Sequence, residues 1–173
     1  MTRPQFKSYF PPEDVCEAKF VEPPGFATSG SRKSGRMHQG LRYERAVHEH
    51  NSKELGSQYL ASPWIEFRLK GDARRHWCQP DALYFDLAKG QITIIEVKYA
   101  HCADAWFQLN RVYLPVLQRI FPPSLWKFAT LEMVKWFDCA TSVPEVPKLR
   151  DGILRAMPNE FGVFIWKPRA GER

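Results

Sequence analysis

Residues 91–99 constrain this chain more than any other segment: Gln91, Ile92, Thr93, Ile94, Ile95, Glu96, Val97, Lys98 and Tyr99 follow a turn at Ala88, Lys89 and Gly90. In an extended strand Ile92 and Ile94 point to one face and Ile95 and Val97 to the other. A strand that is apolar in both directions belongs in the middle of a sheet covered on both sides. Glu96 and Lys98 interrupt the pattern on one face, and an unpaired charge buried there would be expensive. These two charges need a reason.

The rest of the chain supplies the covering layers. Helical spacing runs from about 36 to 55, with Leu41, Glu44, Val47, His48, Asn51 and Leu55 on the core-facing side and Arg42, Arg45, Glu49 and Lys53 elsewhere. Residues 57–69 read as a strand entering a hairpin at Lys70, Gly71 and Asp72. The returning strand starts near Arg74, passes His76 and Trp77 to Pro80 and Asp81, and continues over 82–87. A second helix spans 103–121, with a kink or break at Pro115, because proline removes a backbone donor and clashes with the preceding turn. Further elements are a strand over 126–137, a short helix over 147–157 and a final strand over 162–167. The core order is therefore helix, three antiparallel strands, helix, strand.

A chain of 173 residues, 44% hydrophobic and 25% charged, is sized for one compact domain and is too apolar to be disordered as a whole. The early prolines (Pro4, Pro11, Pro12, Pro23, Pro24) mark 1–34 as an extended surface arm with a basic linker; 35–137 form the core and 138–173 an extension of it. No apolar run reaches the roughly 18 residues of a spanning helix and no signal-peptide stretch is visible, so the cytoplasm is the default location. His76 with Cys78 and His101 with Cys102 are spaced unlike the usual zinc knuckles, and reduced thiols are the simplest reading of the four cysteines. The net charge of +6 points to an anionic partner.

The chemistry concentrates at Asp81 and Glu96. They are fifteen positions apart, and the midpoint between Ala88 and Lys89 falls in the predicted turn, so a hairpin folded there sets the two carboxylates opposite each other. Like charges placed across a ladder repel unless a cation sits between them. Two carboxylates completed by water are the hard oxygen set that Mg²⁺ or Mn²⁺ prefers. Lys98, two residues after Glu96, projects to the same side, where an ammonium can position a water and balance charge on a phosphate under attack.

Pro80-Asp81 followed by Glu96-Val97-Lys98 at the end of a hydrophobic strand resembles the PD-(D/E)XK signature of metal-dependent nucleases. The element order resembles that superfamily's restriction-endonuclease-like αβββαβ core, an α/β fold whose central mixed sheet is flanked by helices, over roughly 35–137. Gly40, Leu41, Arg42, Tyr43, Glu44 and Arg45 are similar to the glycine-then-glutamate helix of RecB-like nucleases and archaeal Holliday-junction resolvases. The resemblance implies Glu44 as a third acid, the Val97 carbonyl as a further metal ligand, and Gln108 as a side chain at the active centre. It also raises a homodimer. One departure stands out: RecB-like members carry a tyrosine four positions after the glutamine, whereas Tyr113 follows Gln108 at five.

Arg32, Lys33, Arg36, Arg42 and Arg45 form a cationic stretch suited to gripping phosphates, with a strength that falls as salt rises. DNA as substrate comes from the family resemblance alone. Together these features predict a Mg²⁺-dependent DNA nuclease with no membrane partner. Two rival classes remain, a catalytically inactive nucleic-acid binder on the same scaffold and a protein-interaction domain using the proline-rich arm and Phe161, Phe164 and Trp166.

Overall fold

The computed structural model describes residues 10–28, 35–137 and 148–168, with only the backbone of Arg36. In chain order it has β1 (Val15–Val21), α1 (Arg36–Leu55), β2 (Tyr59–Ala61), β3 (Trp64–Leu69), β4 (His76–Cys78), β5 (Ala82–Asp86) and β6 (Gln91–Ala100). α2 (Ala103–Gln108), a wide π-turn (Leu109–Tyr113), α3 (Leu114–Ile120), β7 (Lys127–Trp136), β8 (Lys148–Leu149) and β9 (Phe161–Ile165) follow. The protein is α/β.

β6 is central, as its two apolar faces require. The main sheet is mixed, with order β2-β5-β6-β7-β9-β8; β5 runs antiparallel to β6, and β7 runs parallel to it. On one face, Ile92 and Ile94 of β6 and Leu83 of β5 pack with Leu109, Val112 and Val116 from the second helical segment. On the other, Ile95 and Val97 pack with Tyr43 and Val47 of α1 and with Leu131 and Met133 of β7.

The expected three-stranded run is bent, because each long strand is split in two. β2 and β5 pair in the main sheet, while β3 and β4 pair in a second antiparallel sheet of order β1-β3-β4. Both chains change sheets together at a corner. There the Ser62 N–H donates to the Asp81 carbonyl at 2.7 Å and the Gln79 side-chain amide donates to the Ser62 carbonyl at 3.0 Å. Pro63 and Pro80 flank this corner and have no N–H to continue a ladder, which fixes where the strands break.

Three further expectations need correction. The segment read as a surface arm contributes β1, an edge strand paired with β3 from Val15 to Val21; Phe10 and Val15 enter the core beside Phe67. Pro11, Pro12, Pro23 and Pro24 flank the strand and do not interrupt it, and Pro4 lies outside the described residues. α1 turns a different residue inward near its start: Tyr43 is buried and Leu41 is exposed, because the Tyr43 ring packs on Tyr99 and Trp166 and its hydroxyl donates to the Trp166 carbonyl at 2.9 Å. The helix expected over 147–157 is instead β8 and a single 3₁₀ turn, Gly152–Arg155. Gly152 has φ +61°, outside helical space, and the Phe164 ring lies 2.7 Å from where a Cβ would stand. The interruption expected at Pro115 is present as the π-turn Leu109–Tyr113 between α2 and α3, which accommodates the missing donor.

Because the small sheet is part of the core, Phe67→Ala is expected to destabilise the protein by about 3–5 kcal/mol in urea unfolding. A loss below about 1 kcal/mol would show that this sheet does not support the main one.

Candidate active site

β5 and β6 set the geometry. Their last register pair is Ala82 with Ile95, so Asp81, one residue before β5, stands across from Glu96. Both are buried, Asp81 at 4% exposure and Glu96 at 0%. The Val97 N–H donates to Asp81 Oδ2 at 2.8 Å. A strand residue's N–H and C=O leave on the same side, so the Val97 carbonyl also turns toward the β5 edge, where Pro80 has no N–H to offer it. The proline before the aspartate thereby ends the ladder and leaves a carbonyl beside two carboxylates.

Lys98 closes the group. Its Nζ donates to Glu96 Oε1 at 2.5 Å and to Gln108 Oε1 at 2.9 Å, so the first turns of the second helical segment reach the site through Gln108. Burial acts to lower the Lys98 pKa, but Glu96 and then Asp81 outweigh it, and the ammonium is held above its ordinary range. Asp81 also moves up, which for a carboxyl favours the neutral form. Burial, then the charges of Glu96 and Glu44, push its carboxyl well above the usual carboxylate range, against the opposing pull of the Val97 N–H and Lys98.

Glu44 approaches from α1 on the opposite face of the sheet. Its carboxylate is 3.8 Å from His48 Nε2, and His48 Nδ1 is 2.8 Å from the Tyr59 hydroxyl, so His48 bridges α1 and β2. Glu44 therefore sits within electrostatic reach of Asp81 while paired along its own helix.

The sequence reading missed a second buried acid. Glu132 on β7 is the register partner of Glu96 and equally buried. One of its oxygens pairs with His101 Nδ1, and the other accepts the Cys102 N–H at 3.1 Å, tying the start of α2 to the sheet. Burial pushes the Glu132 carboxyl up, with His101 and Cys102 working against it. The signal was present: Glu132 lies inside the apolar run Leu131, Met133, Val134, the same pattern that singled out Glu96.

Of the basic residues, Arg42 and Arg45 are exposed on α1. Arg36 begins that helix, while Arg32 and Lys33 lie outside the described residues. Around the β3–β4 hairpin, Arg68, Arg74 and Arg75 each pair with a carboxylate, at 3.7, 2.9 and 3.5 Å.

No family model, no curated protein and no solved structure matches this chain. Among the described residues no helix is long and apolar enough to cross a membrane. Among them, too, no three His, Cys, Asp or Glu side chains converge on a single point that could hold an ion. What does stand together is the Asp81 and Glu96 carboxylates beside the Val97 backbone, and magnesium characteristically takes one or two carboxylates and keeps several waters. An all-oxygen set of this kind would suit a hard divalent cation, whose charge would also draw the proton off Asp81.

A carboxyl whose pKa is raised on folding binds its proton more tightly in the native state than in the unfolded chain. Its contribution to stability is full below the ordinary carboxylate range and is lost as pH rises through the folded value. In the absence of metal, Asp81→Asn is therefore expected to stabilise the protein by about 0.5–2 kcal/mol. The gain should be larger at pH 8 than at pH 5; thermal melts at both pH values check it, and a destabilised variant at pH 8 contradicts it.

Proposed function

We propose that the chain is a divalent-metal-dependent nuclease of PD-(D/E)XK type that hydrolyses phosphodiester bonds, with DNA favoured by the family resemblance and DNA repair, recombination or processing as its setting. The observation that carries this reading is the opposition of Asp81 and Glu96 across the end of the β5–β6 ladder, with Lys98 held between Glu96 and Gln108. Two buried carboxylates placed face to face cost stability, and one ammonium does not neutralise them.

Asp81, Glu96 and the Val97 carbonyl would hold Mg²⁺ or Mn²⁺, with Glu44 close enough to add its charge. A bound ion supplies Lewis acidity at the phosphate and lowers the pKa of water. The chain's own residues do the rest. Lys98 holds a proton at Nζ beside the carboxylates, where it can orient the attacking water and stabilise negative charge growing on the phosphate. Gln108 fixes the lysine's direction from the helix side. Arg42 and Arg45 would contact flanking phosphates.

The π-turn supports the same reading at the point where the sequence departs from the RecB-like pattern. A π-turn closes over five residues in place of four, and the one here covers Leu109–Tyr113. The extra residue between Gln108 and Tyr113 is taken up in that turn. Tyr113 itself is buried among core residues.

A catalytically inactive binder is the second reading, favoured by the closed pair between Lys98 and Glu96 and by the absence of three convergent ligating side chains among the described residues. One panel separates the two. Plasmid, linear, single-stranded and branched DNA are incubated with the protein in Mg²⁺, in Mn²⁺ and in EDTA. Cleavage is expected only with metal, and Asp81→Ala and Lys98→Ala should each lower its rate by about 10²–10⁴-fold. Cleavage that survives either substitution, or no cleavage of any substrate, rejects the nuclease reading.

A further inference from the structure

Three lysines sit on aromatic rings at one end of the main sheet, Lys148 and Lys167 on the face that carries Glu96 and Lys98, and Lys135 on the opposite face beside α1. Lys167 Nζ is 4.3 Å from the centroid of Trp136, Lys148 Nζ 4.5 Å from that of Phe137, and Lys135 Nζ 5.3 Å from that of Tyr99. Most other cations with a described partner, Lys19, Arg68, Arg74, Arg75, Lys89 and Arg155, are in salt bridges with carboxylates. Among the described residues Lys135, Lys148 and Lys167 are in none. Among the described residues no carboxylate pairs with them, and the rings beneath them are not all buried: Trp136 is 50% exposed.

The position of this patch matters. β6, β7 and β9 run parallel, so Tyr99, Trp136 and Lys167 all lie where these strands end. Val134 is the register partner of Lys98, and Trp136 lies two residues further along the same face of β7, partnered with Ala100. Strand geometry puts the Trp136 Cα about 8 Å from that of Lys98. Within the carboxylate centre, the Lys98 side chain is 24% exposed against 1% for Glu96, so the centre opens on the lysine side.

We infer that the lysine-capped rings of Trp136 and Phe137, on the face of the sheet that carries Lys98, form a platform for single-stranded nucleic acid, which stacks unpaired bases and leads the strand to the carboxylate centre. The inference deepens the nuclease reading and rests on it for the direction of the strand. Aromatic faces bind bases only when the bases are free of their own stack, and they do so with little regard to sequence; lysines interleaved with them take the phosphates. In the free protein each ammonium rests over a ring. Its flexible four-carbon stem lets it move to a phosphate and free the ring face for a base. A duplex presents the phosphates but hides the base faces, so the platform distinguishes single strands from duplexes, while the arginines of α1 do not.

Fluorescence anisotropy in EDTA, where no turnover occurs, tests this with labelled oligo-dT and oligo-rU of about 15 nucleotides and a blunt duplex of equal length. Both single strands are expected to bind at least about 10-fold more tightly than the duplex. Trp136→Ala should weaken single-strand binding by about 5- to 100-fold, and Trp136→Phe, which keeps a ring, should restore most of it. The double variant Lys148→Gln, Lys167→Gln should reduce the slope of log K against log salt by about 1.4. Melting curves establish that each variant is folded; if Trp136→Ala is not, the double-lysine variant and Lys167→Gln alone carry the test. Unchanged affinity in folded Trp136→Ala, an unchanged salt slope in the double variant, or a preference for duplex overturns the inference. So does a poly-glutamate peptide that binds more tightly than oligo-dT, which would assign the patch to an acidic protein. Binding with these variant effects but without metal-dependent cleavage leaves the platform standing and removes the nuclease reading. Cleavage with binding indifferent to Trp136 does the reverse.

Discussion

Two carboxylates face each other across the end of one antiparallel ladder, both out of water, with one ammonium beside them. Around this arrangement the fold makes sense. β6 must be central to bury Glu96, Pro80 must end the β5 ladder to turn Asp81 inward, and the second helical segment must approach closely enough for Gln108 to reach Lys98. The central place of β6 also follows from its two apolar faces, whereas the opposed carboxylates add a cost that packing alone does not demand.

The neighbouring pair in β7 shows what the same sheet does when a buried acid is fully matched. Glu132 occupies the register position next to Glu96, yet its two oxygens are taken by His101 and the Cys102 N–H. It fastens the start of α2 to the sheet, and with it the direction from which Gln108 approaches.

Much of this was legible in the sequence, because the decisive signals were local. The double-faced apolar run located the central strand, the turn at Lys89 and Gly90 fixed the opposition of Asp81 and Glu96, and a two-residue step placed Lys98 beside them. What escaped depends on contacts between distant segments. Tyr43 displaces Leu41 from the core only because Tyr99 and Trp166 are there to receive it, and the split of the long hairpin into two sheets depends on a corner held between Ser62, Gln79 and Asp81. The strand at 15–21 was hidden because its prolines lie at its borders and its pairing partner is some fifty residues away. Glu132 was legible by the rule applied to Glu96 and was overlooked.

The π-turn has a consequence for how this protein can change. In an ordinary helix one added residue rotates everything beyond it by about 100°. Here Leu109–Tyr113 absorbs the added residue, so Gln108 before the turn and Val116 and Leu117 after it each keep the face they require. The helix behaves as two segments with a swivel between them, one tuned to the lysine of the site and the other to the hydrophobic core. Substitutions that repack the distal half can accumulate without moving the half that carries Gln108. A lineage carrying this turn could therefore remodel its core while the contact between Gln108 and Lys98 stays in place.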